Sequence, residues 1–105
     1  MTKIVINDCY GGFGLSHEAM MKYSEYRGLG LEAADGIYRD SEGEYFVDHD
    51  ILRDDPVLVR IVEEMADASG PYSNLRIVEI PDGVEWQIEE YDGQEWIAEK
   101  HRIWR

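Results

Sequence analysis

Apolar and polar positions change period several times along this chain, and each change marks an element. Residues 3–7, KIVIN, form a mostly apolar, β-branched run that predicts a buried strand. A helix is predicted over about 17–27. Ser16 supplies the N-cap and Glu18 an acid in the first turn, while Ala19, Met20, Tyr23 and Tyr26 share one side. Gly28 suits a left-handed C-terminal cap, with Leu29 as its apolar contact. Residues 37–47, IYRDSEGEYFV, predict a hairpin turning at Gly43. A second helix begins with Asp55 as cap and Pro56 at its first position. Its core stripe is Leu58, Ile61, Val62 and Met65, with Arg60, Glu63, Glu64 and Asp67 outside and Ser69-Gly70-Pro71 as the stop. LRIVEI, 75–80, is another buried strand, PDG at 81–83 turns the chain, and 84–100 predicts a hairpin.

Two arrangements of the last hairpin compete. A two-residue Asp92-Gly93 turn pairs Glu89 with Trp96 and Glu90 with Glu95. A three-residue bulged turn pairs Ile88 with Trp96 and Trp86 with Ala98. Only the bulged turn gathers Trp86, Ile88, Trp96 and Ala98 on one face and leaves Gln87, Glu89, Glu95 and Glu99 on the other. It is therefore the expected register. Helical crossovers between strands 3–7 and 75–80 favour a parallel pairing, which the hairpin 84–100 would extend antiparallel. The expected fold class is α+β: a two-layer sandwich, with a mixed β-sheet, β-hairpins, and two helices packed on one face.

The 105 residues predict a single domain, 1–105. A lone cysteine, Cys9, rules out an intramolecular disulfide and suits a reducing cytoplasm. The first residues turn polar too soon for a signal peptide, and no apolar run is long enough to span a membrane. The expectation is a soluble cytoplasmic protein with no membrane partner. Charge changes the picture most. Twenty-three acids against ten bases give a formal charge of −13. Such a surface repels nucleic acid and attracts basic partners, or serves solubility alone. Residues 77–99 hold eight acids and no Lys or Arg, and 40–55 hold seven acids and one Arg. The last six residues, KHRIWR, are basic by contrast.

Three places invite chemistry. The loop NDCYGGFGLS, 7–16, joins a strand to a helix. Its N–H groups at Tyr10, Gly11, Gly12, Phe13 and Gly14 form a candidate cradle for an anion such as a phosphate or nucleotide. The P-loop ending and dinucleotide spacing are missing, so a structural corner, with Phe13 and Leu15 plugging the core, competes with that reading. Cys9 as a nucleophile needs a base, and His17, His49 and His101 have no diagnostic spacing. The third place is the acidic hairpin, with Glu89, Glu90, Asp92, Glu95 and Glu99 as candidate partner-binding residues. Carboxylates on a strand face recur about every 6.5–7 Å, close to the step between phosphates of a nucleic-acid strand. Glycine falls at the wrong position in DSEGEYFVDHD for a calcium loop, and histidines and cysteine lack metal spacing, so no metal and no cofactor are expected.

KIVINDCYGGFGLS, RDDPVLVRIVEEM and VEWQIEEYDGQEWIAEKHRIW together resemble a group of small proteins of phages and prophage-bearing bacteria. The resemblance spans most of the chain. It implies a phage setting and carries no activity and no site residues. Small phage proteins include acidic inhibitors of CRISPR complexes, an analogy of context only. The expected function is thus a non-enzymatic accessory protein that binds and blocks a basic, nucleic-acid-binding host protein. It makes no direct contact with nucleic acid, and a homodimer is compatible with it. The alternative is a small-ligand protein holding a nucleotide or phosphate at loop 9–14. A cysteine enzyme is the third class.

Overall fold

The structure is a computed structural model that describes residues 1–34, 36–65, 68–70 and 73–99. In order, the elements are β1 (Thr2–Asn7), α1 (His17–Arg27), β2 (Glu32–Ala34), β3 (Ile37–Arg39), β4 (Tyr45–Phe46), a single 3-10 turn (Asp48–Asp50), α2 (Pro56–Glu64), β5 (Leu75–Ile80), β6 (Trp86–Tyr91) and β7 (Gln94–Glu99). The architecture is an α+β sandwich. Helix α2 packs on β1 and β5, and α1 packs against α2. Ile4, Val5 and Ile6 of β1 are buried. Val5 joins Phe13, Leu15, Met20, Tyr23, Ile51, Leu58 and Ile61 in the core.

Local signals set the element ends as expected. The Ser16 hydroxyl accepts from the Ala19 N–H, and Gly28 closes α1 at φ 66°. The Asp55 carboxylate accepts from the Val57 N–H, with Pro56 in the first turn. Gly43, at φ 83°, turns β3 into β4, and the Asp40 carboxylate accepts from the N–H groups of Glu42 and Glu44 within that turn. β2 was not anticipated and makes the hairpin a three-stranded meander. Val59 adds to the α2 stripe of Leu58 and Ile61. The predicted positions Asp67, Pro71 and the KHRIWR tail lie outside the described residues.

The expected parallel pair is corrected. β1 and β5 pair antiparallel, from Thr2 opposite Ile80 to Asn7 opposite Leu75, and all strand pairs among the described residues are antiparallel. The reason lies in where the chain returns after α2. Ser69 bridges to Leu15, the Gly70 N–H donates to the Gly14 carbonyl, and the Asp8 N–H donates to the Asn74 carbonyl. These contacts hold Ser69, Gly70 and Asn74 at the C-terminal end of β1, so β5 starts there and runs back. A Cβ on Gly70 would lie 3.2 Å from the Gly14 carbonyl carbon; this close approach suits a glycine.

Two features of the last hairpin are also corrected. β6 and β7 form their own two-stranded ribbon rather than a ladder extension of the β1–β5 sheet. Their turn is the two-residue one: Asp92 and Gly93 have φ 53° and 93°, and Tyr91 pairs with Gln94. Both central residues at positive φ match the twist of a tight hairpin.

One polar network ties the helices together and has a consequence in acid. The Asp55 carboxylate accepts from the Tyr23 hydroxyl at 2.8 Å, from the Val57 N–H at 2.8 Å and from the Arg27 guanidinium. Burial pushes the Asp55 carboxyl up, but these hydrogen bonds outweigh it and hold its pKa below the ordinary aspartate value. A depressed folded-state pKa adds stability that is complete above the unfolded value, about 4, and is lost as pH falls through the folded value. Parent and Asp55→Asn should therefore differ most in urea-unfolding free energy near neutrality and converge as pH falls below about 4. A difference that stays constant with pH would remove Asp55 from the acid response.

Candidate functional site

The glycine loop is held from three sides. Phe13 is buried, and His49 Nε2 lies 3.1 Å from its carbonyl. The Gly14 carbonyl accepts from the Gly70 N–H and, at 2.7 Å, from the Ser73 hydroxyl. The Leu15 N–H donates to Asp48 Oδ2 at 3.0 Å, so a carboxylate of the chain itself occupies that donor. Of the three loop glycines only Gly12, at φ 91°, has positive φ. Gly93 rests on the loop: a Cβ there would lie 2.6 Å from the Gly12 nitrogen and 2.8 Å from the Tyr10 carbonyl oxygen. These contacts favour the structural corner. Tyr10 and Gly11 are exposed.

Cys9 is half-buried, and its thiol donates to Asn7 Oδ1 at 3.4 Å. His17 Nδ1 lies 2.7 Å from the Tyr38 hydroxyl, and His49 bonds to Phe13. His101 lies outside the described residues. Among the described residues no group of three or more His, Cys, Asp or Glu is placed to hold a metal ion.

Beneath the loop lies a buried ion pair that sequence reading missed. Arg53 bonds to both carboxylate oxygens of Glu95, Nη2 to Oε2 at 2.8 Å. Its guanidinium carbon sits 3.7 Å over the Phe13 ring centre. Glu95 is 7% exposed, and its Oε1 also accepts from the Asn7 N–H at 2.8 Å. Asn7 is fully buried. Its amide nitrogen donates to the Cys9 and Gly93 carbonyls, and its oxygen accepts from the Asn74 N–H. One node thus joins β1, the glycine loop, the turn before α2 and the β6–β7 ribbon. One signal pointed to it: Arg53 is the only Lys or Arg among seven acids in 40–55, whereas Glu95 looked like any other member of the polar face.

The observed register redistributes the acidic hairpin. Residues paired directly across an antiparallel ladder share a face. Trp86, Ile88, Glu90, Glu95, Ile97 and Glu99 therefore share one side, and Gln87, Glu89, Tyr91, Gln94, Trp96 and Ala98 the other. Glu89 is separated from Glu95 and Glu99, and the expected row of three does not form. Glu95 faces inward. Glu89, Glu90, Asp92 and Glu99 are exposed. Trp96, expected inside, is 44% exposed opposite Glu89, and Tyr91 on the same side is 71% exposed. Tyr10 is 66% exposed on the loop against which the ribbon turn rests. The aromatic content of this surface was not anticipated.

Basic side chains are largely engaged. Lys3 pairs with Glu63, Lys22 with Glu25, Arg27 with Asp55, Arg60 with Glu64 and Arg76 with Asp8. The side chains of Glu85, Glu90, Asp92 and Glu99 have no ion-pair partner among the described residues. The ribbon therefore carries uncompensated negative charge on both sides, with Glu89 beside the exposed Tyr91 and Trp96, and Glu90 and Glu99 on the opposite side. No helix among the described residues is long and apolar enough to cross a membrane.

Comparison of the chain with protein-family models, curated proteins and solved structures finds no match in any of the three.

Proposed function

We propose that this chain is a non-enzymatic acidic binding protein whose β6–β7 ribbon engages a basic, nucleic-acid-binding surface of another protein and blocks it, in a phage-type setting. The observation that supports this most is the group of exposed carboxylates, Glu89, Glu90, Asp92 and Glu99, on a ribbon that also exposes Tyr91 and Trp96. Carboxylates steer a basic partner into encounter, and exposed aromatic rings supply contact area and stack on Arg guanidinium groups. The alternative, a nucleotide or phosphate at residues 9–14, has less support, because Gly93 packs directly on the Gly12 nitrogen and the Asp48 carboxylate stands at the end of the loop, on the Leu15 N–H.

The test is a charge variant that leaves the fold alone: Glu89→Gln, Glu90→Gln, Asp92→Asn and Glu99→Gln together. Glu95 stays, since its carboxylate is structural. A partner captured from host lysate at low salt should bind the parent with an affinity that falls as salt rises. The variant should bind at least about tenfold more weakly at low salt, with a flatter salt dependence. The partner should also lose its hold on DNA or RNA when the parent is added. Equal affinity of parent and variant at low salt would leave the charge as a solubility device.

A further inference from the structure

We propose that the cavity between α1, the β3–β4 hairpin and the Asp48–Asp50 turn is a binding site for an organic cation, a quaternary ammonium or guanidinium group carried on an apolar body. The cavity has a volume of about 440 Å³, within the range of small-ligand sites. It shares no residue with the β6–β7 ribbon, so it stands independently of the function proposed above.

Its walls are apolar and aromatic: Leu15 and Met20 from the core, and Tyr38, Tyr45 and Phe46 from the hairpin. The aromatic walls are braced. Phe46 stacks on Tyr23, with ring centres 5.9 Å apart, and Tyr38 stacks on His17 at 5.8 Å while its hydroxyl bonds to His17 Nδ1. Arg39 sits 4.4 Å over the Tyr45 ring, so this aromatic group already holds one guanidinium of the chain itself. Asp48 lines the same cavity. Its Oδ2 is fixed by the Leu15 N–H at 3.0 Å, and its Oδ1 lies 3.6 Å from His49 Nδ1. No Lys or Arg lines the cavity among the described residues.

Carboxylate charge reaches the cavity wall. The Tyr38 hydroxyl is pushed up first by burial and then by the charges of Asp48 and Glu18. A fixed carboxylate beside π faces attracts a cation, and an apolar wall favours one that is weakly hydrated. An anion would meet Asp48, and a neutral apolar molecule would leave its charge uncompensated.

The probes are choline, its uncharged isostere 3,3-dimethyl-1-butanol, and N-acetyl-arginine amide, each titrated into the full chain while the Met20 methyl resonance is followed by NMR. Choline should move that resonance saturably and bind at least about tenfold more tightly than the isostere. Asp48→Asn keeps an oxygen for the Leu15 N–H and should erase the preference of cation over isostere. Phe46→Leu, which keeps Asp48, should weaken both cations if Asp48→Asn does not fold. Saturation by choline but not by the arginine amide assigns a free small molecule as the source of the cation. The reverse assigns a partner's arginine side chain. An isostere that binds as tightly as the better of the two cations, or no saturable shift with either cation, overturns the proposal.

Discussion

Replacing Glu95 with alanine should cost about 3–5 kcal/mol of unfolding free energy, the range for removing one partner of a buried ion pair. The substitution leaves the half-buried Arg53 guanidinium over Phe13 without its counter-ion, and the Asn7 N–H without its acceptor. The Asn7 loss is large because its N–H is fully buried and cannot recover water, and the half-buried Arg53 guanidinium recovers it only in part. The reverse experiment is as informative. Arg53→Met with Glu95→Leu removes both charges together, and such exchanges are often neutral or stabilising. Here the Asn7 N–H still loses its bond, so the double variant should fall between the parent and Glu95→Ala. Urea unfolding of the parent, Arg53→Met, Glu95→Leu and the double variant closes a thermodynamic cycle. A cost below about 1 kcal/mol for Glu95→Ala would mean that the carboxylate behaves as a surface group, and the node would not hold the ribbon.

Gly93→Ala should cost about 2–4 kcal/mol, combining a left-handed backbone with forced overpacking. The new methyl would lie 2.6 Å from the Gly12 nitrogen and 2.8 Å from the Tyr10 oxygen. Both are backbone atoms, so no rotamer change relieves the contact. The turn must lift off the glycine loop, and the bond from the Asn7 amide to the Gly93 carbonyl goes with it. Gly12→Ala is the matched control. Gly12 has nearly the same φ, 91°, but nothing lies within 4 Å of its missing Cβ, so its cost should stay near 1 kcal/mol. Thermal melts of the two variants measure the difference. Equal melting temperatures would show that backbone conformation alone matters and that ribbon and loop separate freely.

The two predictions share a cause that bears on the function. The ribbon is joined to the rest of the protein through Glu95 and Gly93, not through a shared ladder. Its outer side, with Glu89, Tyr91 and Trp96, is thereby fixed in orientation while remaining open. For the proposed partner, a ribbon backbone held in this way would need no ordering on binding, which favours affinity.

Helix ends were legible in the sequence because they depend on bonds within a few residues. Ser16, Gly28, Asp55 and Pro56 act through their own backbone neighbours, and so does Gly43 in its turn. The α+β class was legible for the same reason: buried strands, an amphipathic helix and glycine turns are each written in one segment. Phe13 and Leu15 were readable as core plugs, because large apolar side chains beside a strand end have few other places to go. The direction of β5 was not legible. It depends on Gly70 and Ser73 closing on Gly14, 56 and 59 positions away in the chain. The hairpin register was misread because period-2 patterning assumes that charge faces water. Glu95 breaks that assumption, since Arg53 from a distant turn neutralises it inside. The sequence by itself determined both helices with their caps, the longer strands and the excess of negative charge. Tertiary structure decided which carboxylate is buried, which aromatic rings are exposed and where Asp48 meets Tyr38 and Phe46, because each depends on a partner far along the chain.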